Sequence, residues 1–419
     1  MSNTSSLAAP TRRPARNMHH SAGFWVIAAA FLIVVAYASV PTPLYAIYQA
    51  RDGFSTFTIT IIFAAYAAGV MLSLYLAGHV SDWLGRRRVI LAAIVIELLS
   101  AVLFLVWPEV PGLLVARFIS GIGVGILTAT ATAHLSELRL AANPGGDMRR
   151  AGIVSTLVNI GGIGVGPLLG GILSQWVVAP LVTPFVVFIV LLGLAAIAVA
   201  FVPETVERQE ERRAYRPQRL GLPEDARGTF SSAAALVFSA FALFGIFTSL
   251  APSFIVGTLH ETSRFIAGLV VFAVFGSAAV AQVLTGKLSI KRQLWLAAIL
   301  MTAGQIGLAT SVLVVSLPLF LVAGIVAGAG GGIAFRSAVG VAASLAPPQS
   351  RGELLAVIFL IGYAGMAIPV VLVGLAVGVF PATAVLVGFS AIVLVLVDWS
   401  SLAMAARKQA NDTSSSPGS

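Results

Sequence analysis

Residues 78–91 read GHVSDWLGRRRVIL, a charged turn wedged between two long apolar runs, 56–78 and 89–107. Each run is long enough to cross a bilayer, which takes ~20 apolar residues. The turn holds Asp82, the consecutive arginines Arg86, Arg87 and Arg88, and two glycines, Gly78 and Gly85. Three arginines alone would serve to fix membrane topology. An aspartate and a glycine at fixed spacing before them ask for a further role, in packing or in pairing charges.

The composition agrees with a membrane reading. The chain is 58% hydrophobic and 10% charged, with a mean hydropathy of +0.98, against ~25% charged residues in soluble domains. One very large soluble core is excluded, because single cores stop growing near ~250–300 residues. With no cysteines, disulfides and thiolate metal sites are unavailable. The five histidines, His19, His20, His79, His134 and His260, show no metal-ligand spacing beyond an adjacent pair in the tail.

Runs of 18 or more apolar residues bounded by charges or by Pro and Gly turns give twelve spans. They are 23–48, 56–78, 89–107, 112–135, 151–175, 181–203, 229–256, 265–286, 293–312, 317–343, 354–375 and 380–404. Twelve crossings put both termini on one side. That side collects 21 of the 25 Lys and Arg residues, the opposite side only Arg51 and Arg264, and Arg117 and Arg336 fall inside spans. Basic residues concentrate on the cytoplasmic face, so a multi-pass protein of the cell inner membrane with cytoplasmic termini is expected. The +9 net charge is then orientation plus attraction to anionic lipid, with no nucleic-acid partner. Arg12, Arg13 and Arg16 before an apolar core and Ala36-Tyr37-Ala38 also resemble a cleavable signal peptide. The span is expected to be retained, since its loss would leave eleven.

Residues 204–228 are the one long charged segment and divide the chain into bundles of six spans, 23–203 and 229–404. They read as a cytoplasmic linker, too short to bury a core of its own. The tails 1–22 and 405–419 are polar and expected to be disordered. The halves echo each other: FAAYAAGVMLSLYLAG (63–78) and FAVFGSAAVAQVLTG (272–286) each precede a basic turn, and Pro167 and Pro369 fall in the fifth and eleventh spans. Such repeats are usual in secondary transporters.

The fifth span carries Gly162, Gly166-Pro167 and Gly170-Gly171. Glycines four apart let backbones approach, and proline kinks a helix. The fourth span carries Arg117, then Gly121, Gly123 and Gly125. An arginine in a span costs at least ~2.5–3.5 kcal/mol on insertion scales and marks function unless it snorkels to the nearby outer end. Glu97 sits near the middle of the third span, where ionisation is costly and a proton can be carried.

Together these residues resemble the major facilitator superfamily, and in particular its twelve-span drug:proton antiporters. Gly78, Val80, Ser81, Asp82, Gly85, Arg86 and Arg87 fall in order on the family's loop signature, with Trp83 where a basic residue is common and Ser81 where alanine is. The glycine-proline run of the fifth span resembles the antiporter motif of that span, although Ile153 stands where the family has a further glycine. Arg117 matches an arginine of the family's fourth span linked to proton coupling. The resemblance implies an all-α fold of two six-helix pseudo-symmetric bundles about a central cavity lined by helices 1, 4, 7 and 10. It also implies a conformational latch: Gly78 packing on the eleventh span, Asp82 meeting that helix's positive end near Gly352, and Arg86 pairing with Asp82 or Glu137.

Tyr37, Tyr45, Phe247 and Phe254, with Asn159, Gln282 and Arg336, are the candidates to face the cavity. Glu97 and Arg117 are the candidates for proton coupling. The expected function is export of small amphipathic compounds, drugs included, in exchange for protons, by a monomer with no cofactor beyond the proton gradient. A sugar or metabolite facilitator or symporter is the alternative, and a non-transporting sensor a further one. Phosphate-loop signatures are absent, which excludes ATP drive within the chain, and no cluster of His, Asp or Glu at the membrane surface suggests an enzyme.

Overall fold

The computed structural model describes residues 18–77, 81–145, 147–206, 227–345 and 351–414. Among them, twelve helices are long and apolar enough to cross a membrane, and there is no strand. They are α1 (His20–Ser39), α2 (Thr56–Ala77), α3 (Arg86–Val106), α4 (Val110–Ala142), α5 (Arg149–Trp176), α6 (Thr183–Ala200), α7 (Arg227–Ser249), α8 (Arg264–Leu284), α9 (Ile290–Leu313), α10 (Leu317–Ser344), α11 (Arg351–Ala376) and α12 (Ala382–Ser414). Past Ser39, α1 loosens where Pro41 and Pro43 interrupt it: a 3-10 turn over Thr42–Leu44 leads into a short helix, Tyr45–Asp52. The tail expected to be disordered from residue 405 is instead helical to Ser414, in keeping with the helix formers Ala405, Ala406, Arg407 and Lys408.

Two hydrophobic cores form, one from α1–α6 and one from α7–α12, with Phe63 of α2 joining the second. Their packing is a repeat. In the first half α1 packs on α4, α5 and α6, α4 on α2 and α3, and α3 on α6. Each pair recurs six helices later: α7 with α10, α11 and α12, α10 with α8 and α9, and α9 with α12. Two long seams join the halves, α5 against α8 and α2 against α11, and the six-helix shift exchanges one for the other.

Glycine sets the closest approaches. At the α2–α4 crossing Gly69 and Gly121 face each other, and a Cβ on Gly121 would lie 3.0 Å from the Gly69 Cα. The run in α5 divides between two neighbours. Gly162, Gly166 and Gly170 face α1 at Val35, Ala36 and Val40, while Gly164 and Gly171 face α8 at Phe272 and Arg264. Such contacts supply the van der Waals packing that replaces hydrophobic drive within lipid.

Candidate functional site

A cavity of about 450 Å³ lies between the halves. Its walls come from α1, α2, α4 and α5 on one side and α7, α8, α10 and α11 on the other. That is twice the number of helices expected, because the seams carry α2, α5, α8 and α11 to the cavity edge. Lining residues distant from the terminal face, such as Ala38, Thr42, Phe63 and Thr248, are buried. Those nearer it, Leu74, Thr128, Asn159 and Leu355, are partly exposed, and Thr132 is exposed.

The far end is shut by contacts across the halves. Thr42 donates its hydroxyl to the Thr248 carbonyl at 2.8 Å. Arg264 at the start of α8 donates its backbone N–H to Gln175 Oε1 at 2.9 Å and its Nη1 to the Ser174 carbonyl at 2.7 Å. Gly374 of α11 sits on Thr60 of α2. Among the described residues, the exposed lining places the cavity's opening on the face where α1 begins and α12 ends.

Of the residues expected to face the cavity, Asn159 lines it; Arg117, expected as a proton-coupling residue, lines it as well. The others lie elsewhere. Tyr37 is buried inside the first half, with its hydroxyl 2.8 Å from Ser100 Oγ and its ring against Phe188. Tyr45 is buried at the far end. Phe247 is buried against Phe320, and Phe254 and Gln282 are buried in the second half. Arg336 turns toward Gly286, where a Cβ would meet its Nη2 at 3.1 Å. Helix rotation explains these misplacements, since a helix apolar on all faces does not tell from its sequence which face looks inward.

Arg117 is 3% exposed. Its Nη1 donates to the Ala38 carbonyl of α1, its Cζ stands 4.2 Å from the centre of the Tyr66 ring and 5.9 Å from that of Phe63, and its Nε is buried without a partner. Glu97 is fully buried, off the cavity, with Ser120 and the backbone of Val124 beside its carboxyl but no well-formed hydrogen bond to either oxygen. It fills the space left by Gly123 of α4, where a Cβ would lie 2.5 Å from its Oε1. Arg117 does not reach it: among the described residues no ion pair joins the two.

The loop between α2 and α3 is the second constellation. Gly78, the Asp82 side chain and the surroundings of Gly352 lie outside the described residues. Arg86 pairs with Glu137 of α4, Nη2 to Oε1 at 2.9 Å, and donates Nη1 to Ser81 Oγ at 2.6 Å. Glu204, the first residue of the charged linker, caps α3: its carboxylate accepts from the N–H of Arg86 at 2.8 Å and of Arg87 at 3.1 Å. This is the favoured place for an anion on a helix. Arg87 donates Nη1 to the Val202 carbonyl at 3.1 Å, and Thr205 donates its hydroxyl to Glu137. The segment leaving α6 is thus clamped between α3 and α4. Its available signal was an acid directly after Pro203 at a span's end.

Gly85 makes the clamp possible. Its φ is +95°, and a Cβ there would lie 2.6 Å from Glu204 Oε2. Glu204→Ala should lower stability by about 1–2 kcal/mol through loss of the cap. Gly85→Ala should cost a similar amount, and the double variant less than the sum, because both changes destroy one contact. Melting of the detergent-purified single and double variants checks this; strict additivity would refute the shared contact.

The Major Facilitator Superfamily model matches residues 26–370. The probable metabolite transport protein CsbC of Bacillus subtilis is 30% identical over 174 residues, 39% of this chain and 35% of that protein. The multidrug resistance protein MdtM of Salmonella typhimurium is 29% identical over 143 residues, 34% of this chain and 33% of that protein. The matches span only 13% to 35% of the length of the curated relatives. Among solved structures, a bacterial homologue of the human lysosomal transporter Spinster superposes with a TM-score of 0.70 at 14% identity, covering 92% of this chain and 97% of that one.

Proposed function

The chain belongs to the major facilitator superfamily of membrane transporters, and from that premise we propose that it exports small amphipathic compounds in exchange for protons by alternating access. The observation that carries the reading is the cavity between the halves, open toward the terminal face and closed at the other. The positive-inside rule makes the terminal face cytoplasmic, so this is the inward-facing state of a protein of the cell membrane. Rocking of the two six-helix bundles about their seams would expose the cavity to the other side.

Several features support amphipathic cargo. The cavity wall is mostly Val, Ala, Ile, Leu and Phe, and the likeness to MdtM points the same way. The likeness to CsbC favours a metabolite facilitator, and against it stands the use of the cavity's hydroxyls. Ser39, Thr42, Thr128 and Thr248 bond to backbone carbonyls and Thr132 to Ser155. A sugar would find few of the converging partners it requires. Glu97 and Arg117 are the proposed proton-coupling pair, acting through α4 rather than by direct contact, and the glycine run of α5 supplies the tight packing on α1 and α8.

Reconstituted protein should move amphipathic aromatic compounds, tested as an anionic, neutral and cationic panel, faster when protons flow down their gradient in the direction opposite to the substrate. Flux that ignores the gradient would overturn proton coupling. Binding without flux would replace the transporter by a sensor.

A further inference from the structure

The cavity's charge and its rings are distributed unevenly. Among the described residues that line it there is one arginine and no lysine, aspartate or glutamate. The positive charge of Arg117 sits on the first-half wall, 3% exposed, with its Nε unpartnered. A buried charge without a partner is costly in a protein interior and more so in a membrane. The Ala38 carbonyl accepts one of its protons but contributes no negative charge. Glu97 does not neutralise it by contact.

The opposing wall is aromatic. Phe241 stands at the centre, 5.3 Å from Phe335, 5.6 Å from Tyr363 and 6.2 Å from Phe244 between ring centres, and Phe335 continues to Phe359 at 5.8 Å. Such a wall offers edges and faces to a flat apolar ring. Rings of this kind also attract cations. Here the guanidinium of Arg117 already stands over the faces of Tyr66 and Phe63. The phenylalanines meet one another edge to face, so their faces are partly occupied. A second cation would enter beside a fixed one with no carboxylate to offset it.

With the serine and threonine hydroxyls committed, four polar lining groups keep donors beyond the wall's own bonds: Arg117, whose Nη1 is held by Ala38, whose guanidinium neighbours Tyr45 and whose Nε is unpartnered, the Asn159 amide, and the phenols of Tyr66 and Tyr363. Each can donate, and Arg117 donates only. A set of donors around one fixed positive charge fits a carboxylate, and the ring cluster fits its aromatic body. A cavity of about 450 Å³ lies within the range that holds drug-sized ligands.

We infer that the cavity selects aromatic monocarboxylates, with the carboxylate on Arg117 and the ring against Phe241, Phe335 and Tyr363. This assignment rests on the cavity's being the substrate site of the proposed transporter, and it names the charge class that reading leaves open.

The test is equilibrium binding of 2-naphthoate, 2-naphthamide and 2-naphthylmethylammonium to the full chain in detergent. It needs no gradient and no flux, so a failure of proton coupling would leave the result intact, and the reverse also holds. Naphthoate should bind at least about tenfold tighter than either analogue, the worth of one charge-assisted hydrogen bond. Arg117→Gln should remove that preference while changing naphthamide affinity by less than about threefold, and Arg117→Lys should keep part of it because the charge remains. Absent naphthoate binding, equal or tighter binding of the ammonium, or an equal loss for acid and amide in Arg117→Gln would overturn the inference. If Arg117→Gln does not fold, the order of the three ligands on the unaltered protein decides.

Discussion

Glutamine in place of Glu97 is expected to abolish the response of transport to a pH gradient while leaving exchange of substrate between equal pools intact. Among the described residues of the first half, Glu97 is the acid with no exposure and no cationic partner on either oxygen; Ser120 and the backbone of Val124 are its polar neighbours. An ionised carboxylate there would stand unpaired in a medium where that costs several kcal/mol, whereas the protonated acid is tolerated. A proton gained or lost at this point therefore changes the energy of the α3–α4 contact, since the carboxyl fills the notch at Gly123. In the proposed coupling, the same change would reach Arg117 through α4, six residues from Gly123 on that helix, and so the cavity. Glutamine keeps the volume and removes the titration. Counterflow in proteoliposomes separates the two activities: lost gradient response with retained counterflow is the expected pair, and a retained gradient response would move the proton to another site. Asp398, bonded to Thr302 at 3.0 Å between α9 and α12, would be the next residue to test.

The second large effect is expected at Gly166. Its missing side chain lets the backbone of α5 lie on that of α1, where a Cβ would overlap the Ala36 carbonyl and meet Ser39 Oγ. The Ala36 neighbour is backbone on a buried helix and cannot turn aside. Gly166→Val should cost about 3 kcal/mol, at the upper end of overpacking, and lower the melting temperature by roughly 10 °C, at ~2–4 °C per kcal/mol. Gly161 provides the control, because nothing lies within 4 Å of its Cβ position on the same helix. Gly161→Val should melt within a few degrees of the unaltered chain. If both variants melt alike, helix propensity rather than the α1 contact governs these glycines.

The architecture was legible because its causes are local. Hydropathy marks a span without reference to its neighbours, and the arginines of the loops mark the sides. The fifth helix's glycines were also legible as packing residues, since spacing alone puts Gly162, Gly166 and Gly170 on one face. The cavity was not legible. Phe241, Phe335 and Tyr363 stand in helices apolar on every side, where Phe247 and Phe254 read the same and point into the core. Arg117 and Asn159 could be found because polarity inside a span has few explanations. Glu204 was missed for the opposite reason: at a span's end an acid looks like the start of solvent, and only the fold brings it to the first turn of α3.

The α5–α8 seam limits what movement this molecule has available. Along it, Gly164 lies on Phe272, Gly171 on Arg264 and Gly268 on Pro167, each within reach of the opposing backbone. Sliding one helix along the other by a residue would drive side chains into these notches, so translation is blocked in both directions. Rotation about the line of contact is not. The seam behaves as an axle, leaving the halves one cheap degree of freedom. The first bonds to break in turning are those at the rim, Thr42 to Thr248 and Arg264 to Ser174.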